Sequence, residues 1–403
     1  MRTRQYLPYS QHSVSEEDID NVVRVLRGEF LTTGPSVLAL EEAFKNETNS
    51  THAIACSSGT AGLYLAYRAL DLPKDFAFVV PAVTFLATAS MANELGYRVI
   101  FADVDSDTGL MTADTLRQCI ASSDAQIGAI IPVHLTGHCV DMRAVASIAC
   151  EHNARIVEDA CHALGGTDIV SGGKVGDCSF SDATMFSLHP NKIIAGAEGG
   201  IVTTNNDKLA EKIRQLVTHG MTKKNFKNTS LSSAGDGCEN PWYYEMVEPS
   251  HNFRLSDIHS ALAESQVRRI SKFVSQREAL RAHYRYCLEE AFECFGEDIS
   301  IVQKQRSEGT AWHLCVLKIN FENFDVSRAQ VMKRLNKMGV GTQVHYIPLH
   351  LQPWWQQKNG PISLEGAETW YESVLTVPLF PSMTKADVEY VVSALRAVLK
   401  AIP

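Results

Sequence analysis

The chain reads as an α/β fold, with a large domain on a mostly parallel sheet followed by a smaller C-terminal α/β domain. Three observations predict it. From residue 52 to about 205, short apolar runs alternate with helical stretches. Several of those runs are apolar on both faces, the pattern of parallel strands covered by helices. After about residue 310 a second, shorter strand–helix alternation begins.

Ser15 to Arg27 reads as the first helix, with Ser15 as N-cap and Ile19, Val22, Val23 and Leu26 on one apolar stripe. The run Phe30-Leu31-Thr32-Thr33-Gly34-Pro35 breaks that pattern as a loop. Candidate strands follow at Ala53–Cys56, Phe76–Pro81, Arg98–Ala102, Ile127–Val133, Arg155–Glu158, Ala183–Ser187 and Gly200–Thr204. Helices such as Ala61–Leu70 and Met142–His152 lie between them. Residues 220–250 are polar and Gly/Ser-rich around Ser232 to Gly237, and read as a long surface loop. Leu255 to Phe292 reads as long, partly continuous helix. The remainder gives strand (Trp312–Ile319), helix (Arg328–Met338), strand (Gly341–Tyr346) and a terminal helix (Lys385–Lys400). The expected division is residues 1–270, with an N-terminal arm, and residues 271–403.

Composition excludes several functions. The 403 residues are 45% hydrophobic, ample for two or three buried cores. A formal charge of -9 argues against general nucleic-acid binding, so a phosphate ligand must be held by local groups. No apolar run is long enough to span a bilayer. Met1 to Tyr9 has basic residues but no apolar stretch behind them, so no secretory signal is expected. Ten cysteines without a Cys-x-x-Cys pair predict free thiols in a reducing cytoplasm. His134 and His138 flank Thr136-Gly137, and His345 and His350 flank Pro348, so neither pair suits a helical metal site and no metal is expected. Trp354 and Trp355 read as packing residues.

Four segments carry chemistry. In Cys56-Ser57-Ser58-Gly59-Thr60-Ala61 a strand enters a small turn and then a helix, whose free N–H groups suit a phosphate. Phe85, after the second strand, is placed to stack on a flat heterocycle, although in isolation a core aromatic is the better reading. Asp159 ends a strand at the edge where open α/β sheets bind ligands; alone, it reads equally as a helix cap. His162 follows it. Ser187-Leu188-His189-Pro190-Asn191-Lys192 places a hydroxyl and a lysine after a buried strand, where desolvation cheapens loss of the ammonium proton. In this order the four segments describe a site for pyridoxal phosphate (PLP): phosphate turn, stacking ring, carboxylate for the pyridine nitrogen, and lysine for the aldehyde.

These segments resemble the DegT/DnrJ/EryC1/StrS family of sugar aminotransferases, over about residues 5 to 400. The motifs are Leu31–Pro35, Asp159–Ala163, Ser187–Lys192 and Asn252-Phe253-Arg254. The resemblance implies a fold-type I PLP enzyme with a seven-stranded sheet and Lys192 as its catalytic lysine. Ser58, Gly59, Thr60, Ala61, Phe85, Asp159, His162, Ser187 and Lys192 would hold the cofactor, which passes through pyridoxamine phosphate. Asn252 would reach the phosphate of the partner's site, implying a homodimer with shared sites. Thr33, Gly34, His189, His345 and Tyr346 would meet substrate.

Segments around Asn240–Glu245, Ala311–Leu314 and Gly341–Pro353 resemble the pseudaminic-acid branch of that family. They imply transfer of an amino group from L-glutamate to C4 of a UDP-linked 4-keto-6-deoxy-N-acetylhexosamine. Departures at Leu188, His251, Thr136, His138 and Ala195-Gly196-Ala197 remove no required group, but they leave the sugar open to other dTDP- or GDP-linked keto-sugars. Lys192 argues against the related dehydratases, which carry His there. A non-enzymatic PLP-binding regulator is the remote alternative, and no helix-turn-helix or basic face supports it.

Overall fold

The computed structural model describes residues 6–168, 170–233, 238, 240–293, 298–302 and 309–400. The Ala234–Gly237 part of the Gly/Ser-rich stretch lies outside them.

Helix α1 (Glu16–Leu26) starts where the sequence predicts, at Ser15, which forms a capping box with Asp18. Next come α2 (Pro35–Thr48), β1 (His52–Cys56), α3 (Gly59–Ala69), β2 (Ala77–Pro81), α4 (Leu86–Glu94), β3 (Arg98–Ala102), α5 (Ala113–Ala121), β4 (Ile127–Ile130), α6 (Met142–Glu151), β5 (Arg155–Asp159), β6 (Ala183–Ser187), β7 (Gly200–Thr204) and α7 (Asp207–Val217). Strands β1–β7 form one sheet in the order β1-β7-β6-β5-β4-β2-β3. Strand β7 runs antiparallel to both neighbours; the other pairings are parallel. The sheet is therefore mostly parallel, and its strands are buried on both faces, as for Ala77-Phe78-Val79-Val80-Pro81 in β2. Phe78 packs between Tyr67 and Tyr97, with ring centroids 5.2 and 4.5 Å away.

The stretch read as one long loop is partly ordered. A short helix α8 (Thr229–Ser232) lies between the ribbon strands β8 (Met221–Thr222) and β9 (Glu245–Met246). The long helical region divides into α9 (Asp257–Val267) and α10 (Ile270–Phe292). Beyond it, β10 (Ile299–Ile301), β11 (Cys315–Ile319) and β12 (Val374–Val377) form a second, antiparallel sheet. Helices α11 (Arg328–Lys337), α12 (Pro353–Asn359), α13 (Glu365–Ser373) and α14 (Lys385–Lys400) complete the chain. Helix α10 serves two cores: Ile270 and Phe273 pack with Leu188 and Leu255, whereas Leu280, Tyr284 and Leu288 pack with the small sheet.

Two expected strands are corrected. Residues 341–346 form no strand: Gln343 makes one isolated bridge to Thr376, after which the chain leaves the sheet. His345 then meets the Thr376 hydroxyl on β12 through its side chain and Tyr346 meets His162 beyond β5, and these side-chain contacts replace ladder pairing. The strand expected from Trp312 starts at Cys315, because the chain before it docks on the loop at Thr136, where His313 N donates to Thr136 O at 2.8 Å.

The N-terminal arm crosses from one sheet to the other. Leu7 bridges Val340. Tyr9 O accepts from Leu379 N at 3.1 Å, and Ser10 Oγ donates to Asn191 O at 3.1 Å. Behind the arm, α1 is pinned to α9 by the buried Asp18. Its carboxylate accepts from Ser265 Oγ at 2.6 Å and from the Arg269 guanidinium at 2.7 Å. Burial raises the Asp18 pKa, but hydrogen bonds from Ser265, Ser15 and Arg269 outweigh it, so the net shift is downward. A depressed carboxylate pKa contributes stability that is complete above the unfolded value of about 4 and is lost as pH falls through the folded value. Asp18→Asn is therefore expected to lower the melting temperature at pH 7 and to flatten its fall below pH ~4. Thermal melts from pH 3 to 7 check this; parallel curves for the two proteins would remove the argument.

Candidate active site

Three strand ends meet at one edge of the large sheet. Gly200 at the start of β7 pairs with Cys56 at the end of β1 and with Ser187 at the end of β6, and Asp159 ends the adjacent β5. Asp159, Ser187 and the turn that follows Cys56 line a cavity of about 510 Å³.

The turn after β1 forms one wall. Ser58 caps α3, its hydroxyl accepting from Ala61 N at 3.1 Å. The N–H groups of Gly59 and Thr60 remain among the unpaired donors of that helix end. Close packing explains the glycines. A Cβ on Gly59 would lie 2.9 Å from Ser187 Cβ, and one on Gly200 would lie 2.4 Å from Ser58 O. The result is a small cup of N–H and hydroxyl donors at a helix N-terminus, chemistry that suits a phosphate.

Asp159 is buried. Its Oδ2 accepts from Thr88 Oγ1 at 2.7 Å and its Oδ1 from Cys161 N at 3.2 Å. Phe85, at the head of α4, is 54% exposed, and its ring lies 6.1 Å from that of Tyr346. Exposure of an aromatic beside a cavity fits a stacking surface. Lys192 lies after β6, its N–H bonded to His189 O at 2.8 Å. Its side-chain amine has no hydrogen-bond or ion-pair partner among the described residues. Burial lowers the Lys192 pKa, and nearby Cys161 and Asp159 partly offset the shift.

Three histidines surround this lysine. His162 and His313 lie with ring centroids 4.5 Å apart, and both are pushed well below the usual imidazole pKa by burial first and neighbouring charge second. His345 is pushed down to about 3 by burial and by Lys192, and its Nδ1 is 2.8 Å from Thr376 Oγ1. All three are neutral imidazoles at pH 7.

Of the residues singled out in the sequence, Ser58, Gly59, Thr60, Phe85, Asp159, His162, Ser187, His189, Lys192, His345 and Tyr346 line this cavity. Ala61 is set back, its N–H used by the Ser58 cap. Thr33 and Gly34 are outside it. Gly34 N donates to Asp257 Oδ2 at 2.8 Å, tying the start of α2 to α9. Asn252 is exposed away from the cavity and its Oδ1 accepts from Arg254 N at 3.2 Å. Tyr9, Cys161, His313 and Gln343 also line the cavity without having been singled out. Cys161 and His313 stand inside quoted motifs. Tyr9 carries no local signal, because it reaches the site through the arm.

The donor cup, the buried carboxylate, the exposed ring and the partnerless amine fit PLP, and the fold with this site defines a fold-type I PLP-dependent aminotransferase. The comparisons with known proteins agree. The model of the DegT/DnrJ/EryC1/StrS aminotransferase family matches residues 12–396, and the chain belongs to that family. It is 31% identical over 399 residues to the spore coat polysaccharide biosynthesis protein SpsC of Bacillus subtilis, covering 98% of this chain and 97% of SpsC. Its structure is similar to Helicobacter pylori PseC, an aminotransferase involved in the biosynthesis of pseudoaminic acid. The TM-score is 0.88 at 27% identity, covering 99% of this chain and 100% of that one. It is also similar to the PLP form of the putative sugar aminotransferase Spr1654 of Streptococcus pneumoniae, with TM-score 0.83 at 26% identity, covering 98% and 99%. The chain is a PLP-dependent sugar aminotransferase. No helix among the described residues is long and apolar enough to cross a membrane.

Proposed function

We propose that this enzyme transfers the amino group of L-glutamate to C4 of a UDP-linked 4-keto-6-deoxy-N-acetylhexosamine, in a pathway of the pseudaminic-acid type. The single observation that carries the transfer is the partnerless Lys192 amine, sharing one cavity with the buried Asp159 carboxylate. The sugar assignment is supported by the likeness to PseC. Other nucleotide-linked keto-sugars are the second reading, supported by the likeness to DesI, solved with its TDP-sugar product.

When bound, PLP supplies an aldehyde that condenses with amines and a ring that draws electrons from the adjoining carbon. The protein does the rest. The Gly59 and Thr60 N–H groups and the Ser187 hydroxyl hold the phosphate. Phe85 orients the ring, and Asp159 holds a proton on its nitrogen. Lys192 Nζ takes the proton from the amino donor's Cα and returns one when the sugar is aminated. The keto acid leaves before the keto-sugar enters, so ping-pong kinetics are expected. The cysteines described are free thiols, which suits a cytoplasmic enzyme.

Mass spectrometry of the product from a UDP-4-keto-sugar, glutamate and purified enzyme tests the assignment. An unaltered sugar alongside an aminated dTDP-linked one would replace it with the second reading.

The active form is a homodimer in which Asn252 completes the partner's site. Asn252 lies exposed outside its own cavity, which supports this reading. Lys192→Arg and Asn252→Ala chains, each inactive, are expected to regain about a quarter of wild-type activity when unfolded together and reassorted. Half the dimers then mix the two chains, and each mixed dimer has one intact site. No recovery, with mixed dimers demonstrated, would place Asn252 in its own chain's site or in none.

A further inference from the structure

Hydrogen-bond accounting at the cavity leaves two phenol hydrogens without an acceptor. Asn191 Nδ2 donates to Tyr9 Oη at 2.8 Å, and an amide nitrogen can only donate. The Tyr9 hydroxyl is thus the acceptor, and its own hydrogen is left over. Tyr346 Oη lies 3.1 Å from His162 Nε2. The other nitrogen of that ring, Nδ1, receives the Thr136 N–H at 3.4 Å, so the neutral imidazole carries its proton on Nε2. His162 therefore donates to Tyr346, and the Tyr346 hydrogen is likewise uncommitted. Both phenols line the cavity, on either side of His345, whose ring centroid is 5.6 Å from that of Tyr9 and 4.8 Å from that of Tyr346. Burial raises the pKa of both, so both keep their protons at neutral pH.

The same wall carries little permanent positive charge. Among the described residues lining the cavity there is no arginine, and Lys192 is the single lysine. The buried histidines are neutral. An amino-acid donor nevertheless brings a carboxylate into this space, and in the other half of the cycle an uncharged sugar ring occupies it. A guanidinium set to receive the carboxylate would be stranded, desolvated and unpaired, whenever the sugar was bound. A phenol hydroxyl can donate to a sugar oxygen as well as to a carboxylate and leaves no charge behind.

We propose that Tyr9 and Tyr346 are a pair of neutral hydrogen-bond donors that takes the α-carboxylate of the amino donor in one half-reaction and an oxygen of the sugar in the other. The inference rests on the transamination reading and adds how one cavity serves both substrates.

The test uses the PLP-loaded enzyme and 2-methyl-L-glutamate, which binds like the donor but has no α-hydrogen to lose. Its affinity is read from the change in the visible absorption band. Tyr9→Phe and Tyr346→Phe keep the ring and its packing and remove one hydroxyl each. Each is expected to weaken 2-methyl-L-glutamate binding by about ten- to a hundredfold, the worth of a hydrogen bond to a charged group, with the cofactor retained and a modest drop in melting temperature from the donor left unpaired at Asn191 or His162. Each is also expected to raise the KM for the keto-sugar. A double variant that binds 2-methyl-L-glutamate within twofold of wild type would overturn the proposal and leave transamination standing. So would a loss confined to the sugar. A wild-type band that does not respond to glutamate would overturn both.

Discussion

Lys192→Arg is expected to reduce turnover by at least about 10² to 10⁴, the contribution of one positioned base. The substitution keeps the positive charge and most of the length, so it separates chemistry from electrostatics. A guanidinium stays protonated throughout the accessible pH range and can neither attack an aldehyde nor accept a proton from carbon. The Lys192 amine differs because burial already biases it toward the neutral form, against the opposing pull of Cys161 and Asp159. Borohydride reduction of the wild type, followed by peptide mapping, should place a pyridoxyl tag on Lys192, and the variant should yield none there. Normal turnover by Lys192→Arg, or a tag on another residue, would displace Lys192 from its assigned role.

Much of this site was legible because its chemistry sits where strands end. Asp159 and Ser187 close β5 and β6, and the Ser58-Gly59-Thr60 turn follows β1. Strand ends at the carboxyl edge of an α/β sheet converge whatever the loops do, so order along the chain was enough to predict their meeting. The capped start of α1 was legible for the same local reason.

Groups that reach the cavity from elsewhere were not. Tyr9 meets Asn191 across 182 residues of sequence, carried there by an arm whose path depends on bonds to Gly339, Gly341 and Leu379. Residues 341–346 were expected as a strand and form none. What decides their path is the burial of His345 and Tyr346 against Thr376 and His162, which no local pattern encodes. His162, placed at the cofactor by the resemblance, directs its Nε2 proton at Tyr346. Gly34 has a structural task within one chain: its N–H and that of Ser36 donate to the Asp257 carboxylate at the start of α2.

Asp159→Asn is expected to retain PLP and lose on the order of 10² to 10³ in turnover, the scale seen when one preorganised electrostatic contact is deleted. The change is nearly isosteric, but two consequences follow from the bonds observed. Both carboxylate oxygens accept hydrogen bonds, from the Thr88 hydroxyl and the Cys161 N–H. An amide can accept from just one of these donors and turns its NH₂ toward the other, so the side chain rotates or leaves a buried donor unpaired. More important, the negative charge proposed to keep a proton on the ring nitrogen is gone. Loss of the Cα proton then becomes slower relative to binding and release. Glutamate deuterated at Cα should therefore show a larger isotope effect on kcat in the variant than in the wild type. The phosphate contacts proposed at Gly59, Thr60 and Ser187 are untouched, which is why the cofactor should stay bound. Unchanged kcat, or an isotope effect no larger than wild type alongside a lower kcat, would show that Asp159 acts on something other than proton removal.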